Sequence, residues 1–230
     1  RYGGDEALRA VIEAAHARGI RVLLDYACSH VSNAHPFFVE ALNNPASPYR
    51  EWFHFEEAAP GYRAFFGVPT MPTLNVAHAP VREYLLDVAR MWLREFDVDG
   101  YRLDYASGPG PDFWADFRAA CKAEKPDAFC MGEVVDTPDV QCRYVGRLDG
   151  CLDFHLTDAL RKTYALGRWS EADLERFVKG LYFVISPIRQ WQIVYLWDGP
   201  PSDLGDPGYT VIINADDGAV TDLFGNDYGE

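Results

Sequence analysis

Val81-Arg-Glu-Tyr-Leu-Leu-Asp-Val-Ala-Arg-Met-Trp-Leu-Arg-Glu-Phe96, followed at once by Asp97-Val-Asp-Gly-Tyr-Arg-Leu-Asp104, changes its period partway along. In the first part Leu85, Val88, Ala89, Trp92 and Phe96 recur at helical spacing. In the second, Val98 to Asp104 reads as a short strand whose last residue is a carboxylate. A helix therefore feeds directly into a strand, which is the repeating half-unit of an α/β fold.

The same order recurs on both sides of this stretch. Upstream, Leu8, Val11, Ile12 and Ala15 predict a helix from Asp5 to Arg18, and Gly19 stops it. Arg21-Val-Leu-Leu-Asp25 follows as an apolar strand of the kind buried on both faces of a parallel sheet. Downstream, Phe113 to Lys122 predicts a helix with Asp112 as its N-cap, and Ala128-Phe-Cys-Met-Gly-Glu133 the next strand. A further strand is expected from Gly150 to Phe154. Helices follow from Leu156 to Ala165 and, after the N-cap Ser170, from Glu171 to Lys179. Such alternation fits a (β/α) barrel or a doubly wound sheet. The barrel is favoured because at least three strands end in polar residues that could share one rim, and no Gly-rich phosphate fingerprint follows any strand.

Two stretches break the pattern. Val31 to Pro69 is long and rich in Pro, Asn and aromatics, which predicts a small excursion over the active face. Near the end, Ser186-Pro187, Gly199-Pro-Pro201 and Gly205-Asp-Pro207 interrupt the chain, and Tyr209-Thr-Val-Ile-Ile-Asn214 reads as a strand of an all-β piece. A boundary near residue 200 is expected.

Composition narrows the partners. The 230 residues include 48% hydrophobic ones, enough for a sizeable globular core. Asp and Glu outnumber Lys and Arg by 35 to 21, and the net charge of −14 repels nucleic-acid phosphates and anionic membrane surfaces alike. No apolar run reaches the roughly 20 residues that a membrane-spanning helix needs, and Arg-Tyr-Gly-Gly-Asp at the start is not a signal peptide. Cys28, Cys121, Cys130, Cys142 and Cys151 are odd in number and lack a CxxC pair, so reduced thiols and a cytoplasmic setting are expected. No clustered His and carboxylate set suggests a metal-dependent hydrolase. The sequence sets no oligomeric state.

Asp104 and Glu133 end two successive strands, and glycosidic bond cleavage commonly uses two carboxyl groups flanking one bond. Arg102, two residues before Asp104, points to the same face and would keep its carboxylate ionised. Glu133 lies among Met131, Val134 and Val135, and apolar surroundings favour the neutral form that a general acid needs. An Arg-x-Asp on a strand is also a common structural ion pair. The aromatics from Phe37 to Phe66, including Trp52, Phe53, Phe55, Tyr62 and Phe65, could stack on the apolar faces of sugar rings, but most are expected in the core of the excursion. Trp92 and Trp114 stand at helical core spacing.

Leu24-Asp-Tyr-Ala-Cys-Ser-His30, Met71-Pro-Thr-Leu-Asn75, Gly100-Tyr-Arg-Leu-Asp104 and Gly132-Glu-Val-Val135 resemble, in order and spacing, conserved segments of the α-amylase superfamily of glycoside hydrolases. The Met-Pro-x-Leu-Asn element looks most like the neopullulanase, cyclomaltodextrinase and maltogenic amylase group. The resemblance covers roughly residues 1 to 180. It implies a (β/α)8 TIM-type barrel, incomplete in this chain, with an inserted subdomain at about 31–70 after the third barrel strand. Residues 1–200 would be partial barrel and 201–230 the remnant of a C-terminal β-domain. It further implies a retaining hydrolase of α-1,4-glucosidic linkages in maltooligosaccharides, starch or cyclodextrins. An α-glucan transglycosylase and an inactive carbohydrate-binding relic are the alternatives. Asp104 would be the nucleophile and Glu133 the acid/base. Arg102 would orient the nucleophile, His30 would hydrogen-bond the sugar, Tyr105 could line the pocket, and Asp25 would be a buried acid.

Three departures accompany the resemblance. Ser29 stands where many members carry Asn at a structural calcium site, so no metal and no other cofactor is expected there. The first two barrel strands are missing, which reads as truncation. The third family carboxylate, in an Asn-His-Asp element expected after residue 180, has no counterpart in the sequence. Ile193-Val-Tyr-Leu-Trp197 resembles the eighth barrel strand instead.

Overall fold

The computed structural model describes residues 3–185, 192–197, 208–213 and 220–225. They fall into two compact units, residues 1–133 with 146–148, and residues 134–145 with 149–230. The boundary expected near residue 200 lies outside the described residues, as do the Pro- and Gly-rich breakers on either side of it.

The first unit runs α1 (Gly4–His16), β1 (Leu23–Ala27), α2 (Pro36–Asn43), α3 (Ala79–Phe96), β2 (Gly100–Asp104), α4 (Pro111–Glu124) and β3 (Phe129–Gly132). The three strands pair in parallel, with Asp25 opposite Arg102 and Arg102 opposite Met131. Parallel neighbours need crossover connections, and α3 and α4 supply them. The alternation of side chains along β2 then divides the labour. Tyr101 and Leu103 are fully buried, with the Tyr101 hydroxyl donating to Ala89 O on α3 at 2.6 Å and its ring 5.5 Å from Phe117 of α4. Arg102 and Asp104 occupy the opposite face. Trp114 is likewise fully buried, as its helical spacing predicts. Gly100 begins β2 because nothing larger fits: its φ is +143°, and an added Cβ would sit 1.9 Å from Phe129 O.

The expected helices and strands are present with shifted ends. α4 starts at Pro111 after Gly110, so Asp112 lies in the first turn instead of capping it. Proline lacks the N–H that a first helical turn leaves unpaired, and the carboxylate one residue on still faces the positive helix end.

The excursion stretch, residues 31–70, holds α2, 3-10 turns at Arg50–Trp52 and Phe65–Gly67 and the isolated bridge Phe55↔Tyr62, and Phe53 bridges to Leu74 just beyond it. Its core is aromatic. Phe38 is buried with Phe53 and Tyr62 edge-on at 5.0 and 4.8 Å, and Phe37 stacks on Tyr49 at 4.1 Å. Leu74 N–H donates to Ser29 O at 2.9 Å, which ties the far end of the excursion to the segment after β1.

The second unit holds α5 (Pro138–Gln141), the two-residue strand β4 (Gly150–Cys151), α6 (Phe154–Leu160), a π-turn at Arg161–Ala165 and α7 (Glu171–Ile185). β4 is shorter than expected because Asp153 caps α6, accepting from Leu156 N–H at 2.8 Å. Ser170 caps α7: Asp173 N–H donates to its Oγ at 3.2 Å, and the Asp173 carboxylate accepts from Ser170 N–H at 3.0 Å. Leu156 packs with Leu160, Leu174, Phe177 and Val178. β5 (Gln192–Trp197), β6 (Gly208–Ile213) and β7 (Val220–Gly225) form an antiparallel sheet. Ile193 to Trp197 therefore pairs antiparallel with β6, with Val194 opposite Val211, and is not a parallel barrel strand as its resemblance predicted. No described helix is long and apolar enough to cross a membrane.

Candidate active site

The strand ends of the first unit bring four charged residues together. Arg102 projects from the middle of β2, and its Nη1 lies 2.8 Å from Asp25 Oδ1 on β1 and 2.8 Å from Asp104 Oδ1 at the end of β2. Its Nη2 lies 2.9 Å from Oε1 of Glu133, the first residue past β3. One guanidinium thus spans three carboxylates, a task its planar fork suits. Burial alone would make the Arg102 cation less stable, but hydrogen bonds to Asp25 and Asp104 and the Glu133 charge outweigh this and raise its pKa.

Asp25 corrects an expectation. Its side chain is 68% exposed, not buried. β1 pairs only with β2 among the described residues, so nothing there covers its other side. The environment of Glu133 also differs from the sequence reading. Met131 and Val134 are buried as expected, but Val135 is 67% exposed. The carboxylate leaves these neighbours and meets Arg102 on one oxygen and Tyr105 N–H, at 3.2 Å, on the other. Linear sequence carried no sign of this, because the parallel register that places Leu103 opposite Gly132 decides it.

His30 follows β1 and stacks on Phe65 with ring centroids 4.3 Å apart. Its Nδ1 lies 2.9 Å from Ser29 Oγ. Burial lowers the imidazole pKa and the Asp104 charge only partly offsets this, so the ring is neutral near pH 7. Phe65 and Phe66 both meet the Tyr105 ring edge-on, at 4.9 and 5.3 Å, and Phe66 is 77% exposed. Every sequence-predicted site residue therefore lies in the first unit. Asp25, Arg102, Asp104 and Glu133 form one ion cluster. Tyr105 joins it through its backbone, and His30 joins Tyr105 through Phe65. Among the described residues no group of three or more His, Cys, Asp or Glu is arranged to hold a metal ion.

Chemically, the cluster offers one carboxylate fixed at a strand end and a second on the adjacent strand, with a cation between them. Known proteins resemble the chain in sequence and in fold. Residues 1–186 match the family described as "Alpha amylase, catalytic domain". The chain is 38% identical to Alpha-amylase 2 of Dictyoglomus thermophilum over 177 residues, covering 77% of this chain and 31% of that protein. It is 40% identical to a cyclomaltodextrinase of Geobacillus thermopakistaniensis, covering 71% of this chain and 29% of that one. The chain thus spans about a third of the length of these curated relatives. The cyclic α-maltosyl-(1→6)-maltose hydrolase of Arthrobacter globiformis superposes with a TM-score of 0.72 at 29% identity, over 78% of this chain and 42% of that structure. The parallel strands and helices of the first unit are accordingly part of a (β/α) barrel. The chain belongs to the α-amylase catalytic-domain family.

Proposed function

We propose that this chain carries the reacting carboxyl groups of a retaining glycoside hydrolase acting on α-1,4-glucosidic linkages of maltooligosaccharides, starch or cyclodextrins. The observation that carries this reading is the single Arg102 guanidinium touching both Asp104 and Glu133. It holds two carboxyl groups of adjacent strands at one place, as a double displacement requires. In the first step Asp104 attacks the anomeric carbon while Glu133 gives its proton to the departing glycosidic oxygen, leaving a glycosyl ester on Asp104. In the second, Glu133 takes a proton from water, whose oxygen displaces the ester and returns Asp104 as carboxylate. Two inversions at one carbon give net retention.

The substrate class rests on the relatives' names, cyclomaltodextrinase and α-amylase, and on the exposed aromatic Phe66 beside Tyr105. His30, neutral and three residues past β1, would donate to a sugar hydroxyl, and Tyr105 would line the same pocket. Five cysteines, odd in number and without a CxxC pair, fit a reducing cytoplasm.

The test is made on the full-length protein with maltoheptaose. Asp104→Asn and Glu133→Gln should each lower the release of reducing ends by about 10³-fold or more while oligosaccharide binding persists. The first-formed product should be the α-anomer by proton NMR. Near-normal turnover in either variant, or a β-anomer, would remove the mechanism.

A further inference from the structure

We infer that Tyr105 is a positioning residue that acts through its main-chain N–H, aiming the Glu133 carboxyl group by means of a left-handed turn at the end of β2. This rests on Glu133 being the acid/base of the proposed function.

Glu133 is held almost wholly by the segment from Arg102 to Ala106. Its N–H donates to Leu103 O at 2.9 Å, and its carbonyl accepts from Ala106 N–H at 2.9 Å. Its Oε1 meets Arg102 Nη2 at 2.9 Å and its Oε2 accepts from Tyr105 N–H at 3.2 Å. The amides of residues 105 and 106 thus converge on one residue. Successive amides of an extended strand point to opposite sides, so convergence needs a change of backbone hand. Tyr105 supplies it with φ +43°, a region that bulky L-residues rarely occupy. Sparsely populated conformations persist where the surroundings over-determine them, and they gather at functional sites.

The surroundings here do so. Gly108 N–H donates to Tyr105 O at 2.9 Å. An added Cβ at Gly108 would lie 2.9 Å from the Tyr105 ring and 3.1 Å from Ser29 Cβ, so only glycine leaves the ring its place. The buried Trp114 indole donates to Ala106 O at 2.6 Å and fixes the next peptide. Phe65 and Phe66 close on the ring from the excursion. The ring anchors the turn, and the turn aims the amide.

Two replacements at position 105 separate ring from backbone. Tyr105→Gly removes the ring but accepts the left-handed conformation, whereas the β-branched Tyr105→Val removes the ring and resists it. In the full-length protein, KM for maltoheptaose should rise alike in both. kcat should fall about tenfold further in Tyr105→Val than in Tyr105→Gly, since one oriented donor is lost. Equal kcat in the two folded variants would overturn the inference. Because Tyr105→Val could fail to fold, a second measurement uses protein labelled with 15N-tyrosine. Glu133→Gln should move the residue 105 amide proton upfield, and an unmoved resonance would equally overturn the inference. Full hydrolysis by Glu133→Gln would instead remove the functional reading, while the amide shift would still report the hydrogen bond.

Discussion

Arg102 Nη2 lies 2.9 Å from Glu133 Oε1 while its Nη1 reaches Asp104 Oδ1 at 2.8 Å, so one planar group sets the spacing of two carboxylates. A lysine has a single nitrogen and cannot hold both in that geometry. Arg102→Lys should therefore lower kcat/KM by about 10²-fold, the cost of a small misplacement at a reacting centre. Unfolding free energy should drop by only about 1 kcal/mol, because charge is conserved and Asp25 is largely in water. Steady-state kinetics and urea unfolding on the same samples would check both. Retained activity would show that Arg102 does not set the carboxylate positions.

At the other end of β2, just before the strand begins, Asp99 binds a second cluster. It is 4% exposed and accepts from Val22 N–H, His16, Lys125 and Arg21. Burial alone would raise its pKa, but these donors outweigh burial and bring it down to about 2 from 3.8. A carboxylate with a depressed native pKa contributes stability that is full above its unfolded pKa and is lost as pH falls through the native one. Asp99→Asn should thus be less stable by about 2 kcal/mol at pH 7. The gap between variant and parent should hold down to about pH 4 and close toward pH 2. Urea midpoints across that range would show it, and a gap independent of pH would contradict it.

His30 also costs the native state stability on acidification, at higher pH and through burial instead of lost ion pairs. Burial lowers its pKa below 6.5, against a smaller raising effect of Asp104. Below pH 6.5 the unfolded imidazole takes a proton that the native one resists, so the native state loses stability as pH falls toward the native pKa. His30→Gln removes that proton linkage. Its stability should decline less than the parent's from pH 6.5 downward, and parallel curves from thermal melts would refute the assignment.

The helix–strand grammar was legible because it depends on local periodicity: Val81 to Phe96 and Val98 to Asp104 appear as α3 and β2 with their starts displaced by about two residues. Arg102 and Asp104 were legible as a pair because a strand places residues two apart on one face. Asp25 was misjudged since burial depends on what lies beside β1, which its own residues do not encode. The Glu133 contacts were hidden for a related reason. They arise from parallel register and from a left-handed turn at a tyrosine, where sequence would place glycine or asparagine.

Phe66 separates the sugar-stacking role from the structural one among the excursion aromatics. Trp52, Phe53 and Tyr62 are buried, but Phe66 is 77% exposed and held at φ +47°. It meets the rings of Phe65 and Tyr105 from the surface, so removing so exposed a side chain opens no core cavity. Phe66→Ala should change Tm by no more than about 2 °C. Loss of one stacking face should raise KM for maltoheptaose about three- to tenfold, in keeping with about 0.5–1.5 kcal/mol for an aromatic contact. Phe66→Trp, which keeps a flat apolar face, should restore KM. If Phe66→Ala instead unfolds several degrees earlier with KM unchanged, the ring packs for stability and the sugar face must be sought elsewhere.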